Sequence, residues 1–169
     1  GESALHYTIE VGNGRGPTAD PPQVAIDAND SKALNLALAF DPGALPGLRI
    51  GGNLYLDRIP ANDDADSGPL HTAMDEAITG LFVAYERDGW RGTAEFFSIA
   101  HEAEVDADSS GWYVELGRRM GAWTPYVRID TVEVDDADTF FPTLDDQTTT
   151  ALGVRHDLTS WAAVKLQLE

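Results

Sequence analysis

The chain has 169 residues, 29 of them acidic and 11 basic, for a net charge of −18 with histidine neutral. Most of such a surface repels phosphates, which argues against a nucleic-acid partner. The absence of cysteine excludes a disulfide framework, a thiolate nucleophile and cysteine metal ligands. The length suits one domain, 1–169, or part of a larger one. Gly1-Glu2-Ser3 has neither the charged nor the apolar region of a signal peptide. Apolar runs such as Leu81-Phe82-Val83-Ala84-Tyr85 fall far short of the roughly 20 residues of a spanning helix. A spanning β-barrel escapes that test, because alternation hides its apolar residues.

Period-two alternation dominates the chain. Leu5, Tyr7, Ile9 and Val11 alternate with His6, Thr8 and Glu10. Leu34, Leu36, Leu38 and Phe40 follow, then Leu48, Ile50, Leu54 and Leu56 opposite Arg49, Asn53, Tyr55 and Asp57. Leu81, Val83 and Tyr85 oppose Phe82, Ala84 and Glu86; Trp90, Gly92, Ala94 and Phe96 oppose Arg91, Thr93 and Glu95. Trp112, Val114 and Leu116 oppose Tyr113 and Glu115; Trp123, Val127 and Ile129 oppose Thr124, Tyr126, Arg128 and Asp130. Leu152 and Val154 face away from Arg155, and Ala162, Val164, Leu166 and Leu168 face away from Lys165, Gln167 and Glu169. No segment sustains a 3.6-residue period; Leu70 to Ile78 comes nearest. The expectation is all-β: an antiparallel up-and-down meander of about nine strands forming part of a transmembrane β-barrel. Strands near ten residues cross a bilayer at a tilt, whereas the usual strand has about five or six.

The connections alternate in length. Short turns are expected at 41–47, 87–89, 119–122 and 157–160, and long loops at 13–30, 57–76, 102–110 and 131–147. Asp88-Gly89 suits a type I′ hairpin, which needs positive φ at both central positions. Nineteen of the 29 acids fall in the long loops, including Asp20, Asp27, Asp63, Asp64, Asp135 and Asp136. In a meander this places short turns at one rim and acidic loops at the other, the asymmetry of outer-membrane barrels. Trp90, Trp123 and Trp161 each follow a short turn and are expected to form an aromatic girdle, although Trp161 is out of phase with its strand. The competing reading makes them strand-start core residues of a soluble barrel.

Several of these segments resemble Gram-negative outer-membrane porins, in particular the phosphate-selective porin O/P-like family. They are Gly80-Leu81-Phe82-Val83-Ala84-Tyr85-Glu86 with Trp90-Arg91-Gly92-Thr93-Ala94-Glu95-Phe96, and Gly111-Trp112-Tyr113-Val114-Glu115-Leu116-Gly117 with Trp123-Thr124-Pro125-Tyr126-Val127-Arg128-Ile129-Asp130. Leu152-Gly153-Val154-Arg155-His156-Asp157-Leu158 with Ala163-Val164-Lys165-Leu166 completes the set. The resemblance covers the C-terminal half by motif and the first half by strand pattern. It implies a channel in the cell outer membrane, surrounded by membrane lipid and lipopolysaccharide, with small solutes as cargo and a homotrimer as the assembly. Single-chain barrels have even strand numbers, so the expectation is a fragment lacking N-terminal strands and a final one. Lys32 and Lys165 are the only lysines, so the resemblance speaks for a porin more than for phosphate selectivity.

If the apolar face meets lipid, the pore lining comprises Glu10, Arg49, Glu86, Arg91, Glu95, Glu115, Arg128, Asp130, Arg155 and Lys165. Such a mixed-sign ladder orders water and selects hydrophilic or anionic solutes. Cross-strand ion pairing that stabilises the wall is the plainer role, worth roughly 0.2–1 kcal/mol per pair.

Catalysis is not expected. His101-Glu102 and His156-Asp157 are adjacent residues that point to opposite faces of a strand, so neither makes a dyad. No cofactor and no metal site is expected either: Asp106-x-Asp108-x-Ser110-Gly111 starts like a calcium loop, but Gly117 stands where the glutamate belongs. Gly12-Asn13-Gly14-Arg15-Gly16 precedes Pro17, Pro21 and Pro22, so no helix follows to cradle a phosphate. Two other readings stay open. One is a soluble β-barrel that binds a small apolar ligand in its interior, with every strand turned the other way. The other is a surface barrel whose acidic loops contact neighbours through divalent cations.

Overall fold

The computed structural model describes residues 1–18 and 30–169. The expected loop acids Asp20 and Asp27, and Pro21 and Pro22, lie outside the described residues. Nine strands follow one another: β1 (Ala4–Gly12), β2 (Ala33–Asp41), β3 (Leu48–Ile59), β4 (Met74–Arg87), β5 (Trp90–Glu102), β6 (Ala107–Arg118), β7 (Trp123–Glu133), β8 (Gln147–Asp157) and β9 (Ala163–Leu168). They form one antiparallel sheet in sequence order, a plain meander. Among the described residues there is no helix. The sheet is open, with β1 and β9 at its edges. The Leu70 to Ile78 segment joins β4 from Met74 onward.

The hairpin at Asp88-Gly89 has φ of 53° and 81°, the left-handed pair that a type I′ turn requires. Gly89 O accepts the Arg119 N–H at 2.7 Å, which ties this turn to the next one along the rim. The loop pattern needs one correction. Ladder pairing runs further than alternation alone suggested, so Asp57, Asp75, Glu76, Glu102, Asp108 and Glu133 are strand residues. The third of the expected long loops shrinks to 103–106, no longer than the turns at 119–122 and 158–162. Its strands continue because Ala107 and Ser109 are buried opposite His101 and Ile99, and Asp106 accepts the Ala103 N–H at 3.3 Å. The calcium-like run from Ala107 to Gly111 is therefore strand, not loop. Length asymmetry persists at 60–73 and 134–146 against 42–47, 88–89, 119–122 and 158–162.

The two faces of the sheet differ in chemistry and in burial. Register aligns Glu10, Asn35 and Tyr55 on one face, and Arg49, Ala84, Thr93, Glu115 and Arg128 in another row of that face. The opposite face carries Ile50, Val83, Ala94, Val114 and Ile129 in register. Every buried strand residue (Ala33, Asp57, Ile59, Met74, Glu76, Gly80, His101, Ala107, Ser109, Gly111, Gly117, Tyr126 and Ala151) lies on the polar face. The apolar face is the exposed one: Leu5 is 63% exposed, Leu81 58% and Leu152 61%.

Aromatic rings on the polar face lie over glycines of the neighbouring strand. Phe97 covers Gly111, and a Cβ there would come within 2.5 Å of the ring. Tyr126 covers Gly153 in the same way. Missing side chains on one strand are filled from the next, which fixes register without bulk.

Candidate functional site

All ten expected lining residues fall on the polar face. Five are acidic and five basic; the same face also carries Asp41, Asp57, Glu76 and Asp157, so it is acidic as a whole. Arg49 grips Asp41 with two bonds, at 2.6 and 2.7 Å, and His6 Nε2 lies 3.1 Å from the same carboxylate. Asn35 donates to Glu10 at 2.7 Å. Arg128 pairs with Asp130 at 3.0 Å and lies 4.2 Å over the Tyr113 ring. Arg155 pairs with Asp157 at 2.7 Å, and Lys165 sits over Tyr126 at 4.4 Å. Wall pairing thus occupies Arg49, Arg128 and Arg155. Glu86 and Arg91 stand directly opposite each other, and Glu95 stands opposite Tyr113. A cavity of about 450 Å³ opens on this face, lined by Asp41, Arg49, Glu86, Arg91 and Thr93.

A buried polar cluster at the long-loop rim has no counterpart in the sequence reading. His101, near the end of β5, is 2% exposed and faces two carboxylates. Its Nδ1 is 2.9 Å from Asp138 Oδ2 and its Nε2 is 3.1 Å from Glu76 Oε2. Each nitrogen faces an acceptor, so each donates. The ring keeps no lone pair for proton abstraction, and its edges pack on Phe140 and Phe141 at 5.5 and 5.6 Å. Phe140 joins Ile59 and Met74 in the apolar core beneath the 134–146 loop. Burial pushes the Asp138 carboxyl up, but the His101 N–H and the Phe140 and Phe141 backbone N–H groups outweigh it and hold the carboxyl below its ordinary range.

The glycine-rich run after β1 turns back into this cluster. Arg15 N–H donates to Asp57 Oδ2 at 2.6 Å, and Arg15 Nε lies 2.9 Å from Glu76 Oε1 without hydrogen-bond alignment. Gly14, at φ 77°, touches the Asp57 carboxylate where any Cβ would overlap it. Tyr55 donates to the same carboxylate at 2.8 Å. The run therefore cradles a side-chain carboxylate. His71 Nε2, 2.7 Å from Pro17 O, ties the first loop to the second. The cluster is a clasp that folds loops from three connections down over the polar face. Neither His101-Glu102 nor His156-Asp157 forms a pair; His156 stacks on Trp123 at 4.0 Å. Among the described residues, no three histidine or carboxylate side chains are arranged to hold a metal ion.

Trp90 and Trp123 stand on the apolar face at the short-turn rim. Trp161 lies at the same rim in the turn before β9, which explains its broken phase. No sequence model of a protein family, no curated protein and no solved structure matches the chain.

Proposed function

We propose that the chain is a wall segment of a porin-type β-barrel in the outer membrane, admitting small hydrophilic or anionic solutes by passive diffusion. The observation that carries this reading is the inversion of burial. A water-facing sheet buries its apolar side, whereas here every buried strand residue is on the polar side, which loops cover at one rim, and the apolar side lies open across all nine strands. Contiguous apolar surface of that extent far exceeds what soluble monomers expose. Lipid is the solvent that suits it, with Trp90, Trp123 and Trp161 at the lipid boundary. Lipid and lipopolysaccharide then surround the barrel, and a homotrimer is the assembly in keeping with the porin resemblance.

Edge polarity supports closure by further strands. Strands β1 and β9 both run from the short-turn rim to the long-loop rim, because eight reversals separate them. Joining them directly would make a parallel pair. Antiparallel neighbours at both edges require an odd number of added strands, which restores an even total.

The alternative, a soluble barrel with an apolar ligand inside, draws on one feature. An apolar concavity of about 920 Å³ lies along Leu36, Leu38, Ile50, Leu54 and Leu81. Extraction behaviour separates the readings. Expressed without fusion tags, the chain is expected to be β-rich by circular dichroism and monodisperse only in detergent. A β-rich monomer in plain buffer would overturn the lipid-facing assignment and send the search to that concavity.

A further inference from the structure

The short-turn rim of the apolar face carries arginines on either side of Trp90. Arg87 pairs with Trp90 and Trp90 with Arg118 across β4, β5 and β6. Trp123 follows through its bridge to Met120, and His156 pairs with Trp123. These residues form one row on one side of the sheet, immediately beyond Tyr85, Gly92 and Leu116 of the apolar band. Arg118 lies 4.8 Å over the Trp90 ring, and among the described residues it forms no ion pair. Arg87 has the exposed Asp88 at 3.4 Å. His156 closes the row, stacked on Trp123. The other rim of the same face reads Arg58, Asp75 and Glu102 in register, with acid in excess.

We propose that Arg118, between Trp90 and Trp123, and Arg87, on the other side of Trp90, form a docking site for the phosphodiester headgroup of an anionic phospholipid in the leaflet at the short-turn rim. This rests on the lipid-facing reading above. A guanidinium stacked on tryptophan is weakly hydrated and keeps its N–H fork free for phosphate oxygens. The tryptophans fix the depth at which the headgroup meets it. Charge complementarity selects the lipid and this rim, because the acidic rim opposite repels the same headgroup.

The test compares thermal unfolding of the chain in vesicles of phosphatidylcholine alone and of phosphatidylcholine with phosphatidylglycerol. The expected result is a higher midpoint with phosphatidylglycerol. Arg118→Gln should lose most of that rise while matching the parent in phosphatidylcholine, and Arg118→Lys should keep part of it. Equal midpoints in the two vesicles, or a full rise in Arg118→Gln, would overturn the headgroup site alone. Inorganic phosphate that reproduces the rise in phosphatidylcholine vesicles would overturn the lipid as its source. A chain that stays in the aqueous phase with both vesicles would overturn the lipid-facing reading as well.

Discussion

His101 and Asp138 are 37 residues apart in the chain and 2.9 Å apart in space, and their bond ties the end of β5 to the loop before β8. The loop's two phenylalanines close over the same ring. This ion pair acts with the Phe140 packing and the Asp135 hydrogen bonds to Asp108 and Ser109 to hold the loop on the polar face.

Asp138→Ala removes the acceptor for His101 and for the Phe140 and Phe141 N–H groups. Breaking a buried pair from one side costs about 3–5 kcal/mol. The expected outcome is faster amide exchange across 135–141 with unchanged far-UV circular dichroism. Unaltered exchange would show that the loop is held by Phe140 packing alone.

The acid side of the stability profile follows from the same carboxyl. Its folded pKa is depressed, so its contribution is complete above the unfolded value of about 3.9 and is lost as pH falls through the folded value. Loop protection should hold from neutral pH to about pH 4 and fall below it. Asp138→Asn should flatten that fall. A profile that weakens with rising pH in the acid range, below about pH 6, would contradict the assigned sign.

Strand positions and faces were legible because the part of each strand nearer the short turns alternates, and Asp88-Gly89 announced its own turn. Loop ends were less so. Asp57 and Glu76 fell at the ends of an expected long loop, yet both are buried strand residues that anchor Arg15. Their roles depend on partners tens of residues away, which local pattern does not encode. The signal available was inward parity: Glu76 and His101 share a face and a rung, so a charged pair facing inward at a rim could have been inferred. Trp161 misled because its turn extends two residues further, to 162, than alternation suggested.

Gly153→Ala should destabilise the edge of the sheet. The added methyl overlaps the Tyr126 ring, whose hydroxyl donates to Gln167 at 2.7 Å and whose face holds Lys165. Overpacking of this kind costs about 1–3 kcal/mol. Exchange in β9 should rise first, and Tyr126→Ala combined with Gly153→Ala should recover part of the packing loss. An unperturbed β9 would show that the ring swings aside freely.

Charge placed on the two faces should have unequal effects. Val114 is 46% exposed within the apolar band, and its neighbour Glu115 faces Arg128 on the polar side. Val114→Arg should cost about 2–4 kcal/mol in a bilayer, the penalty for arginine near the midplane of a barrel wall. Glu115→Gln should shift stability by less than about 1 kcal/mol. Denaturant titrations in lipid vesicles compare the two; equal losses would count against a lipid-facing Val114.

The central claim is that the apolar face meets lipid and the polar face meets water. Val83 and Ala84 are adjacent on β4 and point to opposite faces, and the chain has no cysteine to compete for a label. A fluorophore at Val83→Cys in reconstituted vesicles should be quenched by a lipid-borne quencher and shielded from an aqueous one, with the reverse at Ala84→Cys. Aqueous quenching at both positions, or lipid quenching at Ala84→Cys alone, would contradict the account.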